Sequence, residues 1–302
     1  MIVVTGATGT IGSAVLRRLS AAGIETRALS RDPSRGPSLP HVGWAQADLA
    51  EEPDALRPRF EGADRLFLLT GNARNMTQLQ TNAVEAAAAA GVDHVVKLSA
   101  RGAQPGSASA IGRWHHEVEA CLKQTNMAWT MLRPHVFMQN LLDQAGRIRE
   151  RGEVRAASGD GRIPFIDTRD IADVAATVLT EDVHTGRTYV LTGGVALDYH
   201  QVATADGAAT GRPVEYVAER PDEARARLTA EGLPEWLVES RLALAAYHRA
   251  GGETARVTGD VFEVTGHPPR SIAQFAYDHR SAFAPPGDEA APAGRNAPAA
   301  TA

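Results

Sequence analysis

The sequence predicts an α/β fold of Rossmann type, a doubly wound parallel sheet followed by a smaller C-terminal α+β domain. Three observations carry this. The opening residues Met1-Ile-Val-Val-Thr5 run straight into Gly6-Ala-Thr-Gly9-Thr-Ile-Gly12, so a buried strand meets a glycine turn and then a helix. Short, continuous apolar runs alternate with helical patterns through six repeats, as a parallel sheet covered on both faces requires. Beyond Arg133-Pro134 the alternation loosens, which marks a substrate-side elaboration.

In order, the first strand is followed by the helix Ser13–Ala21 and the strands Ile24–Leu29 and His41–Ala47. A short helical segment then leads to the strand Arg65–Thr70. The alanine-rich helix Asn75–Ala90, closed by Gly91, precedes the strand His94–Ser99. Helix Ile111–Gln124 and strand Ala128–Leu132 complete the repeats. Next come a helix over Val136–Glu150, short strands near Val154 and at Ile163–Ile166, the helix Thr168–Leu179, and short strands at Thr188–Leu191 and Val214–Val217. Helix Pro234–Ala250 offers Trp236, Leu237, Leu242, Leu244, Ala245 and Tyr247 for a buried stripe. These elements divide the chain into a Rossmann domain over 1–150, with contributions from about 164–195, and a smaller domain over 151–283. From Ala284 the composition turns to Pro, Ala and Gly, so 284–302 is expected to be a disordered tail.

The formal net charge of −5 comes from acids and bases mixed along 302 residues, with no basic run to hold nucleic acid or a membrane surface. Cys121 is the only cysteine, which leaves neither a disulfide framework nor a cysteine metal cluster. No metal site is expected, since His116-Glu117 lacks a second histidine at Ala120. No apolar run reaches the roughly 20 residues of a membrane span, and with a strand expected from residue 1 no signal peptide is expected. A cytoplasmic protein is expected.

The glycine turn is a place to hold a dinucleotide. Gly6 permits the tight turn, Gly9 lets a pyrophosphate approach the backbone, and Gly12 lets the helix pack closely, while the helix start offers free N–H groups to phosphate. In open α/β sheets the ligand lies past the carboxyl ends of the strands. That rule nominates Gly6, Thr8, Gly9, Thr10, Ile11 and Gly12; then Arg31 and Arg35; then Asp48 and Leu49, Thr70 and Gly71, Ser99, and finally His135 and Val136. Asp48 would meet the adenine edge, and Thr70, Gly71 and Ser99 would pass the ribose and nicotinamide. Arg31 and Arg35 favour NADPH over NADH, because a guanidinium pairs with a 2′-phosphate. Asp32 is the counter-argument, although Asp32-Pro33-Ser34 is equally a turn signal.

Several segments resemble the NmrA-like branch of the atypical short-chain dehydrogenase-reductases, which includes NAD(P)-binding proteins of the quinone oxidoreductase type 2 kind. They are Val4–Gly12, Ser30–Pro33, Ala87–Val92, Leu132-Arg-Pro134 with Phe137-Met-Gln-Asn140, Pro164-Phe-Ile-Asp167 with Asp170-Ile-Ala172, and Tyr189–Gly193. The resemblance implies that 134–142 closes over the nicotinamide and that 167–171 ties the small domain to the core. It implies one of three functions: an NADPH-dependent reductase of a quinone or conjugated carbonyl compound, an NAD(P)-binding redox sensor with a protein partner, or a tailoring reductase or isomerase. A homodimer is left open.

Ordinary short-chain dehydrogenases pair a tyrosine with a lysine four residues on. All five tyrosines here lie at or beyond Tyr189, and matching Glu119 to the family's acidic position puts Ile111 and His115 where that pair would stand. His115 is therefore the candidate proton donor, because imidazole titrates near neutrality. Ser99 is a second candidate, placing a substrate carbonyl or bonding the cofactor. Trp114, Phe137 and Met138 are candidate walls of an apolar substrate pocket. Asp167 and Asp170 are expected to cap the helix at Thr168 or to pair with Arg133 or Arg169.

Overall fold

The central strands, such as Ile2–Val4 and His94–Leu98, are largely apolar and buried throughout, and the fold places them between two helical layers. The computed structural model describes residues 1–284. The first half runs β1 (Ile2–Val4), α1 (Thr10–Ala21), β2 (Thr26–Ser30), β3 (Val42–Gln46), α2 (Pro53–Leu56), β4 (Arg65–Leu68), α3 (Met76–Ala89), β5 (His94–Leu98), α4 (Ala110–Lys123) and β6 (Ala128–Pro134). Then follow α5 (Ala145–Arg151), β7 (Glu153–Ala156), α6 (Thr168–Thr180), β8 (Thr188–Leu191), α7 (Tyr199–Thr210), β9 (Glu215–Ala218), α8 (Pro221–Ala230) and α9 (Glu235–Ala250). Three short helices, α10 (Asp260–Thr265), α11 (Ile272–Asp278) and α12 (Arg280–Phe283), close the described chain.

Seven strands form one parallel sheet in the order β3-β2-β1-β4-β5-β6-β8. Neighbouring residues of a strand face opposite layers: Val4 and Val96 pack with Val15, Leu16 and Leu19 of α1 and Ile171, Val174 and Val178 of α6. Val3 and Val95 pack with Ala83, Val84 and Ala87 of α3 and Val118 and Leu122 of α4. The strand order reverses at β1, where β2 lies on one side and β4 on the other, and this opens a crevice above the carboxyl ends. A separate parallel pair, β7 with β9, covers a third core built on Ile148, Phe165, Val202 and Phe275.

Three expectations change. Residues 136–150 do not form one helix: Met138–Gln144 is a 3₁₀ stretch that becomes α5 only at Ala145. Ile163–Ile166 makes isolated bridges, Ile163 to Leu197 and Ile166 to Phe137, instead of a strand, because Pro164 has no N–H to continue a ladder. The apolar stripe of α9 is not buried: Leu244 and Tyr247 are 40% and 44% exposed, and the buried positions are Val238, Ser240 and His248. The tail expected from Ala284 lies, apart from that residue, outside the described residues.

Candidate active site

The glycine turn is built as its spacing requires. Gly6 has φ +57°, and a Cβ there would sit 2.8 Å from Leu69 Cγ. A Cβ on Gly12 would lie 2.3 Å from the Gly6 carbonyl oxygen, so α1 begins directly beneath the loop. Gly9 is the N-cap and brings no side chain to the first-turn amides, which stay open to the crevice. A pyrophosphate fits this cradle, with its charge toward the N–H groups and the positive end of α1.

The crevice is a single cleft of about 1570 Å³. That exceeds the roughly 300–1,000 Å³ of an ordinary ligand pocket and leaves room for a dinucleotide beside a second molecule. Gly6, Thr8, Gly9, Thr10, Ile11, Arg31, Arg35, Asp48, Leu49, Thr70, Gly71, Ser99, His115, His135, Val136 and Phe137 all line it. Gly12 does not, because it packs behind the loop. Trp114 and Met138 are also outside: Trp114 stacks at a tilt on Trp236, centroids 5.2 Å apart, and Met138 is buried in the third core.

At the β2 end, Asp32 Oδ1 accepts bonds from the Ser34 amide (3.1 Å) and hydroxyl (2.6 Å), which ties that oxygen to the turn. Arg31 and Arg35 are exposed there, and their guanidinium groups make no hydrogen bond or ion pair among the described residues. This arrangement suits a 2′-phosphate.

Beneath the centre of the cleft lies a polar cluster in which the expected Ser99 and His115 meet partners not expected there, the Glu119–Arg133 pair and Lys97. Glu119, 1% exposed, accepts the Ser99 hydroxyl at 2.5 Å and both arms of the Arg133 guanidinium. Burial alone would raise its pKa, but these partners hold it below the ordinary carboxylate range. Arg133 is thus committed to Glu119. Asp167 caps α6 and pairs with Arg169, both among the expected roles, while Asp170 pairs with Arg270; neither meets Arg133. Ser99 has given its one proton to Glu119 and faces the cleft as an acceptor.

Lys97, fully buried on β5, lies 2.9 Å from His115 Nδ1 and donates to the Leu98 carbonyl. Burial pushes the lysine down to about 7. Burial, then the charges of Lys97 and Arg133, hold His115 well below its ordinary value. The expectation that His115 itself titrates near neutrality is therefore revised: it is a neutral imidazole. Burial and the neighbouring His248 and Arg101 push His135 down to about 3, and its Nδ1 accepts the Val136 amide.

The far wall comes from α9, whose Ser240, Arg241, Leu244 and Tyr247 line the cleft. A tyrosine from beyond the dinucleotide half thus reaches the site after all. An amphipathic helix is legible in the sequence, but not which of its faces looks onto a cleft.

The profile of the NAD(P)H-binding family matches residues 6–182, more than half of the chain. The chain belongs to the NAD(P)H-binding family. Among its relatives is the NAD(P)H azoreductase of Xenophilus azovorans, 41% identical over 94% of this chain and 99% of that protein. A second is the (4-alkanoyl-5-oxo-2,5-dihydrofuran-3-yl)methyl phosphate reductase of Streptomyces griseus, 37% identical over 94% of this chain and all of that protein. Of solved structures, NADPH-dependent quinone oxidoreductase QOR2 of Escherichia coli, complexed with NADPH, superposes with a TM-score of 0.85 at 27% identity, over 92% of this chain and 99% of that one. This member of the family is an NAD(P)H-dependent oxidoreductase.

Proposed function

We propose that the chain reduces small quinones and conjugated carbonyl compounds with NADPH, the acceptor lying between the nicotinamide end of the cleft and α9. The observation that carries this reading is one continuous cleft whose β1–β2 end presents open amides and two unpaired arginines and whose other end is walled by Leu244, Tyr247 and Phe137. Bound NADPH supplies the hydride. The amides of the glycine turn hold the pyrophosphate, Arg31 and Arg35 take the 2′-phosphate, Asp48 and Leu49 border the adenine, and Thr70, Gly71, Ser99, His135 and Val136 border the ribose and nicotinamide. Phe137 and the apolar face of α9 exclude water from the acceptor. His115 donates a hydrogen bond, and then a proton, to the acceptor oxygen. On this reading residues 1–150, with 164–195, bind the dinucleotide, and 151–283 shape the acceptor side. Among the described residues no helix is long and apolar enough to cross a membrane. The cytoplasm, where NADPH is available, is the location that the proposed chemistry fits.

The test is NADPH oxidation, followed at the nicotinamide absorbance, with a quinone, an enone and an azo dye. A quinone gives a stabilised phenolate and needs little acid catalysis, whereas an enone gives a more basic oxyanion. His115→Gln is expected to slow the enone about 100-fold, at the lower end of general-acid effects, and the quinone no more than about fivefold. Tight NADPH binding with no turnover of any acceptor would overturn the reductase reading in favour of a sensor.

A further inference from the structure

A lysine with no exposed atom, in the middle of an apolar strand, has no place in a core unless it does something there. Lys97 follows Val95 and Val96 and shares its face of the sheet with Val95 and Ser99, toward α4. Its Nζ has two partners, the Leu98 carbonyl and His115 Nδ1. An ammonium only donates, so Nδ1 is the acceptor and the imidazole proton sits on Nε2. His115 lines the cleft, so the path from the interior to the substrate space runs through its ring.

We propose that Lys97 is the positioning residue and proton reservoir of this site: it fixes His115 as the Nε2–H tautomer and replaces the proton that His115 gives up. The inference deepens the reductase reading and rests on it for its kinetic part. In the step, hydride transfer leaves an oxyanion on the acceptor, and the O–H bond forms with the Nε2 proton of His115. As that N–H breaks, one Nζ–H proton of Lys97 passes to Nδ1. The lysine is left as a neutral amine, the imidazole as the Nδ1–H tautomer, and net charge is conserved. After product leaves, a proton entering from water at Nε2 restores both.

The surrounding charges fit this use. From α4, Glu119 favours the ammonium; from β6, Arg133 opposes it and at the same time neutralises Glu119. The one charged residue of α3, Glu85, is exposed and lies against Cys121 instead. The lysine is therefore left to titrate at about 7, in the range where a reservoir can both give and regain a proton. His115, held neutral by burial, could not serve as that reservoir alone.

The experiment reads the imidazole directly, in histidine-labelled ¹⁵N protein saturated with NADP⁺, with the His115 signals identified through His115→Gln. Native His115 is expected to be the neutral Nε2–H tautomer below about pH 7, where Lys97 is an ammonium, and to lose that preference as the pH rises through about 7. In Lys97→Met it should become a tautomer mixture and gain its second proton at a higher pH, because a cationic neighbour has gone. Lys97→Arg, the variant to use if the methionine protein does not fold, should keep the tautomer. With an enone, native kcat is expected to fall as pH rises through about 7, since the reservoir must be protonated, and Lys97→Met should be slower by 10-fold or more with no break there. Lys97→Arg should also lose the break, because a guanidinium does not release its proton. A His115 tautomer and titration unchanged in Lys97→Met would overturn the positioning claim. A native-like pH break in either variant would overturn the reservoir claim. Failure of enone turnover in the native protein would count against the reductase reading while leaving the tautomer result to decide the positioning.

Discussion

Asp206 shows most plainly what a single side chain contributes. It sits on α7 with no exposed surface, neither carboxylate oxygen has a partner among the described residues, and burial raises its pKa to about 7. Below that pH the folded chain holds a proton that the unfolded chain, with an ordinary aspartate, releases near 4. Stability therefore falls as pH rises from about 4 to about 7, and the cost above 7 is at most about 4 kcal/mol. Asp206→Asn should raise the melting temperature by several degrees at pH 8 and much less at pH 5; an equal shift at both pH values would contradict the assignment. Other residues differ in how far the sequence reveals them. Gly6, Gly9 and Arg31 are legible because the turn and the strand ends place them without reference to anything distant. Lys97 is legible only as an oddity in a buried strand. That it meets His115 depends on how α4 is rotated over β5, and no local pattern encodes that.

The helix α9 is where one element carries a function. Its Trp236 packs on Trp114 of α4, and this contact fixes the wall formed by Ser240, Arg241, Leu244 and Tyr247. Trp236→Ala should raise KM for the acceptor about 3- to 10-fold, the worth of one aromatic contact, while Kd for NADPH changes less than twofold. Equal losses in both would place α9 on the cofactor instead. Among the elements, the strands and α1 follow from period and composition, so the sequence locates them to within a few residues. The 3₁₀ stretch at Met138–Gln144 escapes it, since Phe137 just before it is bridged to Ile166 across the chain, whereas the break at Ile163–Ile166 is legible in Pro164. The α9 stripe is legible as amphipathic, but an apolar face bordering a cleft and one entering a core carry the same periodicity.

At the scale of the molecule, the strand order places two different surfaces at one switch point. The arc from β1 to β3 offers main-chain amides and free arginines, and the arc from β4 to β6, covered by α9, offers a buried lysine, a neutral histidine and an apolar wall. The first is a binding device that almost any dinucleotide enzyme needs, which is why it is written in contiguous motif. The second is assembled from β5, α4, β6 and α9, far apart in sequence, which is why only single residues of it are legible. Reduction with NADPH requires the first arc to take the phosphorylated dinucleotide. Isothermal calorimetry of the native protein with NADPH and with NADH tests this most directly. NADPH is expected to bind in the micromolar range and NADH at least tenfold more weakly, the worth of about one charge-assisted phosphate contact. Equal affinities, or no heat from either at millimolar concentration, would contradict it.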